Sequence, residues 1–135
     1  MRRLLIASLI FILLTACVSK SEQQAKQLGN EIYFAQTTID YGQIREGSEG
    51  LYNIEFKNLA DHPIVINRVR SSCGCTVPSW SREPIEPGSG GKIQVKYNTE
   101  LTGSFMKSVY VYSSAANSPV KLTVKGKVLP VDKSE

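Results

Sequence analysis

Three zones follow one another along the hydrophobic pattern of the chain: an apolar run, a polar segment, and a long stretch in which apolar and polar residues alternate. The apolar run covers residues 4–14 and is broken only by Ser8. From Glu31 onward, apolar side chains recur at every second position, as in Tyr52, Ile54 and Phe56. A period of two is typical of β-strands with one buried face.

The alternation recurs in six segments that are separated by turn-forming residues. The apolar positions are Ile39 and Tyr41; Tyr52, Ile54 and Phe56; Ile64 and Ile66; Ile93, Val95 and Tyr97; Phe105, Val109 and Val111, with Lys107 as an exception; and Val120, Leu122 and Val124. Turn residues fill 46–48, 58–63, 86–91, 101–103 and 116–119. About seven strands in roughly 100 residues predict an all-β fold, an immunoglobulin-like two-sheet sandwich. A small closed barrel is the alternative architecture.

The apolar run at the start predicts an export signal. Arg2 and Arg3 precede it, and its 11 residues are too few for a membrane-spanning helix, which needs about 20. It ends in Leu14-Thr15-Ala16-Cys17, which resembles the lipobox of bacterial lipoproteins. The resemblance implies cleavage before Cys17 and a diacylglycerol group on its thiol. An ordinary cleaved signal, with Cys17 incidental, is the alternative.

These features divide the chain into four parts. We predict a signal peptide over residues 1–16, a lipidated cysteine and flexible tether over 17–30, the sandwich over 31–131 and a polar tail over 132–135. The expected location is the cell envelope, with the domain lipid-anchored to a membrane and facing the periplasm or the exterior. Oligomeric state leaves no trace in the sequence.

Charge argues against nucleic acid as a partner. The chain has a formal net charge of +4, and removal of Arg2 and Arg3 leaves 14 basic and 12 acidic side chains, a net charge of +2. The basic residues are interspersed with acidic ones and form no run.

The segment Cys73-Gly74-Cys75 is the one element with candidate chemistry. The two thiols could close a disulfide, provided that the backbone bends at Gly74, where glycine tolerates a positive φ. In the reduced form, Cys73 and Cys75 could bind Cu(I), because soft thiolates prefer that ion. A four-ligand zinc site is disfavoured, since His62 and the weak ligand Met106 are the remaining donors of note. Cys73 and Cys75 could also be purely structural, since free cysteines behave as small buried apolar side chains. All three interpretations stay open.

Other side chains form no recognisable catalytic pattern. His62 lies in a predicted turn, Ser71 and Ser72 have no evident base, and the carboxylates show no paired spacing. Trp80 is interpreted as packing against the sandwich rather than as an exposed contact. We therefore predict no enzyme and no catalytic residue.

The segment around the two cysteines resembles the bacterial domain-of-unknown-function family 1573, which is common among exported proteins and lipoproteins. The matching motifs are Ile39-Asp40-Tyr41-Gly42-Gln43-Ile44, Phe56-Lys57-Asn58, Pro63-Ile64-Val65-Ile66, Ser72-Cys73-Gly74-Cys75-Thr76-Val77-Pro78-Ser79-Trp80, Pro84-Ile85-Glu86-Pro87-Gly88, Ile93-Gln94-Val95-Lys96-Tyr97, Gly103-Ser104-Phe105-Met106-Lys107 and Val124-Lys125-Gly126. The resemblance implies an immunoglobulin-like fold related to major-sperm-protein and pilus-chaperone domains, and it implies no reaction.

Two functions remain as expectations. The leading one is a non-enzymatic module of the cell envelope that binds a protein or a glycan. The second is a metal-binding or redox protein that uses Cys73 and Cys75.

Overall fold

The computed structural model describes residues 31–131 together with Lys20, Gln24 and Gly29. The predicted signal peptide, Cys17 and the polar tail lie outside the described residues. Of the predicted tether, Lys20 and Gln24 have helical backbone and exposed side chains. Within the described part of the chain, no helix has the length and apolar character needed to cross a membrane.

Eight strands form two sheets. They are β1 (Ile32–Tyr33), β2 (Thr38–Arg45), β3 (Leu51–Asn58), β4 (Ile66–Ser71), β5 (Thr76–Trp80), β6 (Gly90–Tyr97), β7 (Gly103–Ser113) and β8 (Val120–Leu129). Sheet A has the order β1-β3-β6-β5 and sheet B the order β2-β8-β7-β4. Neighbours are antiparallel except β2 and β8, which run parallel. Two separate four-stranded sheets confirm the predicted sandwich and reject the closed barrel.

The core lies between the sheets and consists of the alternating positions identified in the sequence. Ile93 and Val95 of sheet A and Val109, Leu122 and Val124 of sheet B are fully buried. Complete burial of one such side chain contributes about 1.5–3 kcal/mol, so these positions contribute strongly to the stability of the fold. Lys107, the exception in the β7 pattern, is half-buried opposite Val124.

Two local expectations differ from the structure. The strand count is eight because β1 has only two residues and β5 lies inside the cysteine motif, where Pro78 obscures the strand pattern. The predicted turn over 86–91 is shorter, since Gly90 and Gly91 begin β6. A Cβ on Gly91 would lie 2.7 Å from Cζ of Phe56, so glycine makes room here for the opposite aromatic ring.

Candidate functional site

Cys73 and Cys75 form a disulfide in the turn that connects β4 of sheet B to β5 of sheet A. Their Cα atoms are 5.4 Å apart. A fully extended pair at this spacing would span about 6.6–7.2 Å, so the backbone is bent, as a disulfide requires. Gly74 makes this bend without a positive φ. A Cβ at this position would meet no atom within 4 Å.

Backbone hydrogen bonds hold this turn to both sheets. On the side of sheet B, Ser72 N–H donates to the carbonyl oxygen of Ser108 at 2.9 Å. On the side of sheet A, Asn98 N–H donates to the carbonyl oxygen of Cys75 at 2.8 Å. The Ser72 hydroxyl in turn accepts from Ser108 N–H at 3.1 Å. The position of the turn therefore does not depend on the disulfide alone.

The disulfide is half-buried, with an exposed glycine between its two cysteines. Both Sγ atoms lie near the hydroxyl of the buried Thr76, at 3.9 Å from Cys73 and 4.0 Å from Cys75. Cys75 also packs against a small apolar cluster of Tyr97, Phe105 and Val128. One side of the bridge is thus supported by side chains while the other faces solvent.

An aromatic cluster beside the bridge was missed by sequence reasoning. Tyr97 and Phe105 stack with ring centroids 3.7 Å apart, and Tyr41 meets Phe105 edge-on at 5.6 Å. The hydroxyl of Tyr41 donates to the carbonyl oxygen of Val95 at 2.7 Å. Burial, and then the neighbouring Tyr52, raises the pKa of Tyr41 above its ordinary value. These rings come from four strands, so only their shared inward parity could have indicated the cluster.

We call the part of the sandwich formed by loops 46–50, 72–75 and 98–102 the bridge end. Four of the five exposed large apolar side chains among the described residues lie in or next to these loops: Leu51, Tyr52, Leu101 and Val131, with exposed fractions of 41%, 36%, 47% and 49%. The loops contact one another, since the hydroxyl of Thr99 donates to the carbonyl oxygen of Ser48. The bridge end therefore combines a disulfide, ordered loops and exposed apolar surface.

The opposite end of the sandwich, which we call the far end, contains loops 59–65, 81–89 and 114–119. The described domain begins there, because Ile32 pairs with Asn58 at the last position of β3, whereas Leu51 is the first. His62 also lies at this end and is exposed, with Nδ1 3.1 Å from Oδ1 of Asp61. The predicted surface position of His62 is confirmed.

An open cleft of about 300 Å³ at the far end is a weaker candidate. Phe56, Ile66 and Pro84 line it together with Glu83, Glu86 and Lys92, and these three charged residues are all exposed. Ligand sites usually enclose a few polar groups in an apolar cavity, which this cleft does not do.

Trp80 packs against the main core cluster, and its Nε1–H donates to the carbonyl oxygen of Ile66 at 3.1 Å. The packing interpretation of Trp80 is confirmed. No group of three or more metal-ligating side chains occurs among residues 31–131 and the three other described positions. The Cu(I) hypothesis therefore concerns a reduced form in which Cys73 and Cys75 are the two ligands.

The family model described as "Protein of unknown function (DUF1573)" matches residues 32–128. The chain belongs to the DUF1573 family. The match covers all eight strands except Leu129, the last residue of β8, and it confirms the resemblance indicated by the motifs around Cys73 and Cys75.

One curated relative of this DUF1573 chain is the human Hydrocephalus-inducing protein homolog. The two are 29% identical over 105 residues, which are 76% of this chain and only 2% of the relative. The chain thus corresponds to a small part of that protein.

Two solved structures share the fold of the DUF1573 chain. A protein of unknown function from Porphyromonas gingivalis W83 superposes with a TM-score of 0.63 at 18% identity, over 71% of this chain and 46% of the other. The ASH / PapD-like domain 7 of human CEP192 gives a TM-score of 0.63 at 9% identity, over 76% and 87%. The DUF1573 domain therefore has a PapD-like, immunoglobulin-type sandwich.

Proposed function

We propose that this chain is a non-enzymatic module of the cell envelope, held to a membrane by a lipid on Cys17, that binds another protein with its bridge end. The observation that carries the proposal is the exposure of Leu51, Tyr52 and Leu101 at the same end of the sandwich as the half-buried disulfide. Large apolar side chains that are exposed together in one region of a small domain mark interaction surfaces. Loops fixed on a rigid sandwich are a common place for binding residues.

The direction of the bridge end supports this function. Leu51 and Asn58 are the first and last residues of β3, so about 23 Å separates the bridge end from the end where the predicted tether joins. An anchored domain can therefore present the bridge end away from its attachment point.

Strand addition at a sheet edge is a less suitable mode of binding for this sandwich. β1 has two residues, and register shifts interrupt β2 between Asp40 and Gln43 and β4 between Ile66 and Arg68. β5 forms the other edge of sheet A. The hydrogen bond from Asn98 to Cys75 sets which residues of β5 bond to β6, and it leaves the backbone nitrogen of Pro78 on the open side, away from β6. Proline there removes an N–H that an added strand would need.

A photo-crosslinking experiment in growing bacteria tests the binding surface. We replace Leu101 with p-benzoylphenylalanine and, as a matched control, place the same probe at the exposed far-end residue Glu83. Irradiation is expected to yield discrete protein adducts from position 101 and not from position 83. Equal adducts from both positions, or none from position 101, would contradict the proposal.

The anchor is tested separately by labelling cells with radioactive palmitate. The wild-type chain is expected to take up the label and Cys17→Ser to lose it, because in this proposal Cys17 is the residue that carries the lipid. Label that persists in the variant would refute the assignment of Cys17.

A second candidate function is thiol–disulfide exchange at Cys73 and Cys75. It is favoured by the half-buried position of the bridge in a surface turn. Attack by an external thiolate on one sulfur would give a mixed disulfide, and a second thiol would release the protein dithiol and an oxidised disulfide. Mass spectrometry after alkylation in glutathione buffers, with and without Cu(I), tests this. A bridge that stays closed in the folded protein at a cellular excess of thiol, with no bound copper after stronger reduction, would eliminate it.

A further inference from the structure

The outer face of sheet B concentrates positive charge that is dispersed in the sequence. Six cationic side chains lie on it: Arg45, Arg68, Arg70, Lys121, Lys125 and Lys127. Asp40 is the only carboxylate on the four strands of this sheet. We call this surface the cationic face.

Strand register places these cations next to one another. Tyr110 of β7 pairs with Arg70 on one side and with Lys121 on the other. Lys125 lies between Met106 and Asp40, and its Nζ is 3.4 Å from an oxygen of Asp40. Neighbouring strands are about 4.8 Å apart, so these positively charged groups form one continuous surface.

The cationic face is not recognisable in the sequence because its cations alternate with residues that point into the core. Lys121, Lys125 and Lys127 are separated by core positions, and Arg68 and Arg70 flank the buried Val69. The outer face of sheet A is less positive. Its strands carry three outward lysines, Lys57, Lys92 and Lys96, and one outward carboxylate, Glu55, whereas the cationic face has six cations and one carboxylate. The charge asymmetry therefore appears only when the register is known.

We infer that the cationic face binds the anionic headgroups of a phospholipid membrane. Positive side chains near an anionic bilayer each strengthen attachment about fivefold. The face also carries apolar groups suited to the interface: Met106 is 69% exposed and is the most exposed large apolar side chain of the described residues. Tyr110 and Tyr112 are half-exposed, and the guanidinium of Arg68 lies 4.5 Å from the ring centre of Tyr112. Aromatic rings of this kind favour membrane interfaces.

We assign the cationic face to a membrane rather than to a soluble polymer because the proposed lipid anchor keeps the domain next to a membrane. The inference rests on that anchor. The 13 residues 18–30 can span at most about 45 Å. That limit exceeds the span from Lys121 to Lys127, about 20 Å along β8. The sandwich can therefore lie on its cationic face with the bridge end free at the side.

Lysine reactivity in reconstituted vesicles tests this arrangement within a single molecule. The acylated full chain is placed in phosphatidylcholine vesicles with or without phosphatidylglycerol, acetylated, and analysed by mass spectrometry. Lys121 and Lys127 are expected to react at least about fivefold more slowly when phosphatidylglycerol is present. Lys92 and Lys96 on sheet A are the internal control and should not change. About 1 M salt should remove the protection, because the Debye length falls to about 3 Å.

Paired variants separate the face from general charge. Arg68→Gln with Arg70→Gln should abolish the protection of Lys121, whereas Lys92→Gln with Lys96→Gln removes the same charge and should leave it intact. Equal reactivity in both vesicle types would overturn the inference. Protection by soluble polyglutamate but not by phosphatidylglycerol would also overturn it, and would assign the face to an acidic polymer. Flotation of the protein with neutral vesicles depends on the lipid anchor and not on the cationic face. A protein that does not float with neutral vesicles therefore shows that the proposed lipidation has failed, not the inference about the face.

Discussion

Reduction of the Cys73–Cys75 bridge should lower the stability of the sandwich by less than the loss of a long-loop disulfide would. A disulfide stabilises largely by restricting the unfolded chain, and the effect grows with the length of the closed loop. This bridge closes a loop of only three residues, since its sequence separation is 2. The chain-entropy relation then gives about 1.6 kcal/mol at 25 °C, compared with about 4.7 kcal/mol for a loop of about 100 residues.

The expected change is a modest shift in one cooperative transition. For a domain of this size, about 1.6 kcal/mol corresponds to a fall in Tm of about 6–13 °C. The turn itself should persist after reduction because hydrogen bonds from Ser72 and Asn98 hold it to the two sheets. The slope of the denaturation curve should therefore stay unchanged.

Urea unfolding with and without a phosphine reductant measures this directly. The chain carries Cys17→Ser so that Cys73 and Cys75 are the only thiols, and the single tryptophan, Trp80, reports unfolding by fluorescence. Reduction of the wild-type pair avoids the loss of Cys75 packing that a substitution would cause. A loss above about 3 kcal/mol, or a broadened transition, would refute the reasoning and make the bridge a structural requirement of the fold.

Three substitutions probe the packing, each by urea unfolding. Gly126→Ala should cost about 1–3 kcal/mol, because its Cβ would lie 2.9 Å from both Cζ of Phe105 and Cβ of Tyr41; an unchanged midpoint would contradict the close approach. Tyr41→Phe should cost about 1 kcal/mol through the lost hydrogen bond to Val95. Because the folded pKa of Tyr41 is raised, the wild type should also lose stability as the pH rises above about 10, a loss absent from the variant. Ile64→Ala should cost about 2–5 kcal/mol, as Ile64 is fully buried; a smaller loss would place it outside the core.

The strands that the sequence predicts are those in which alternation is long enough to recognise. β3, β6 and β8 have eight to ten residues each, and one parity of each is buried. The sequence did not predict β1 as a separate strand because two residues are too few to show a period. Its pairing with Asn58 also joins positions that are far apart in the sequence. β5 was obscured by Pro78. Proline is tolerated at this position because its nitrogen, which has no N–H to donate, faces the open edge of sheet A.

The candidate site was only partly predictable for the same reason. Cys73 and Cys75 are local, so their spacing restricted them to a few chemical options. Their surroundings are not local: Asn98 approaches the bridge through the pairing of β5 with β6, and Phe105 through the packing of sheet B on sheet A. The cationic face is likewise a product of register, which no window of sequence contains.

The position of the bridge links the two candidate functions. In antibody-type domains a disulfide crosses the core and joins the sheets, whereas here both cysteines lie in one turn at the bridge end. Core packing and the Trp80 hydrogen bond to Ile66 connect the sheets instead. Opening the bridge would therefore change the surface of the turn next to loop 98–102, which contains Leu101, while leaving the core and the hydrogen bonds of the turn in place. If a partner binds that surface, the crosslinks from position 101 should change when cells are treated with a membrane-permeant thiol. If reduction of the bridge is demonstrated and the crosslinks stay the same, binding of the partner does not depend on the thiol chemistry.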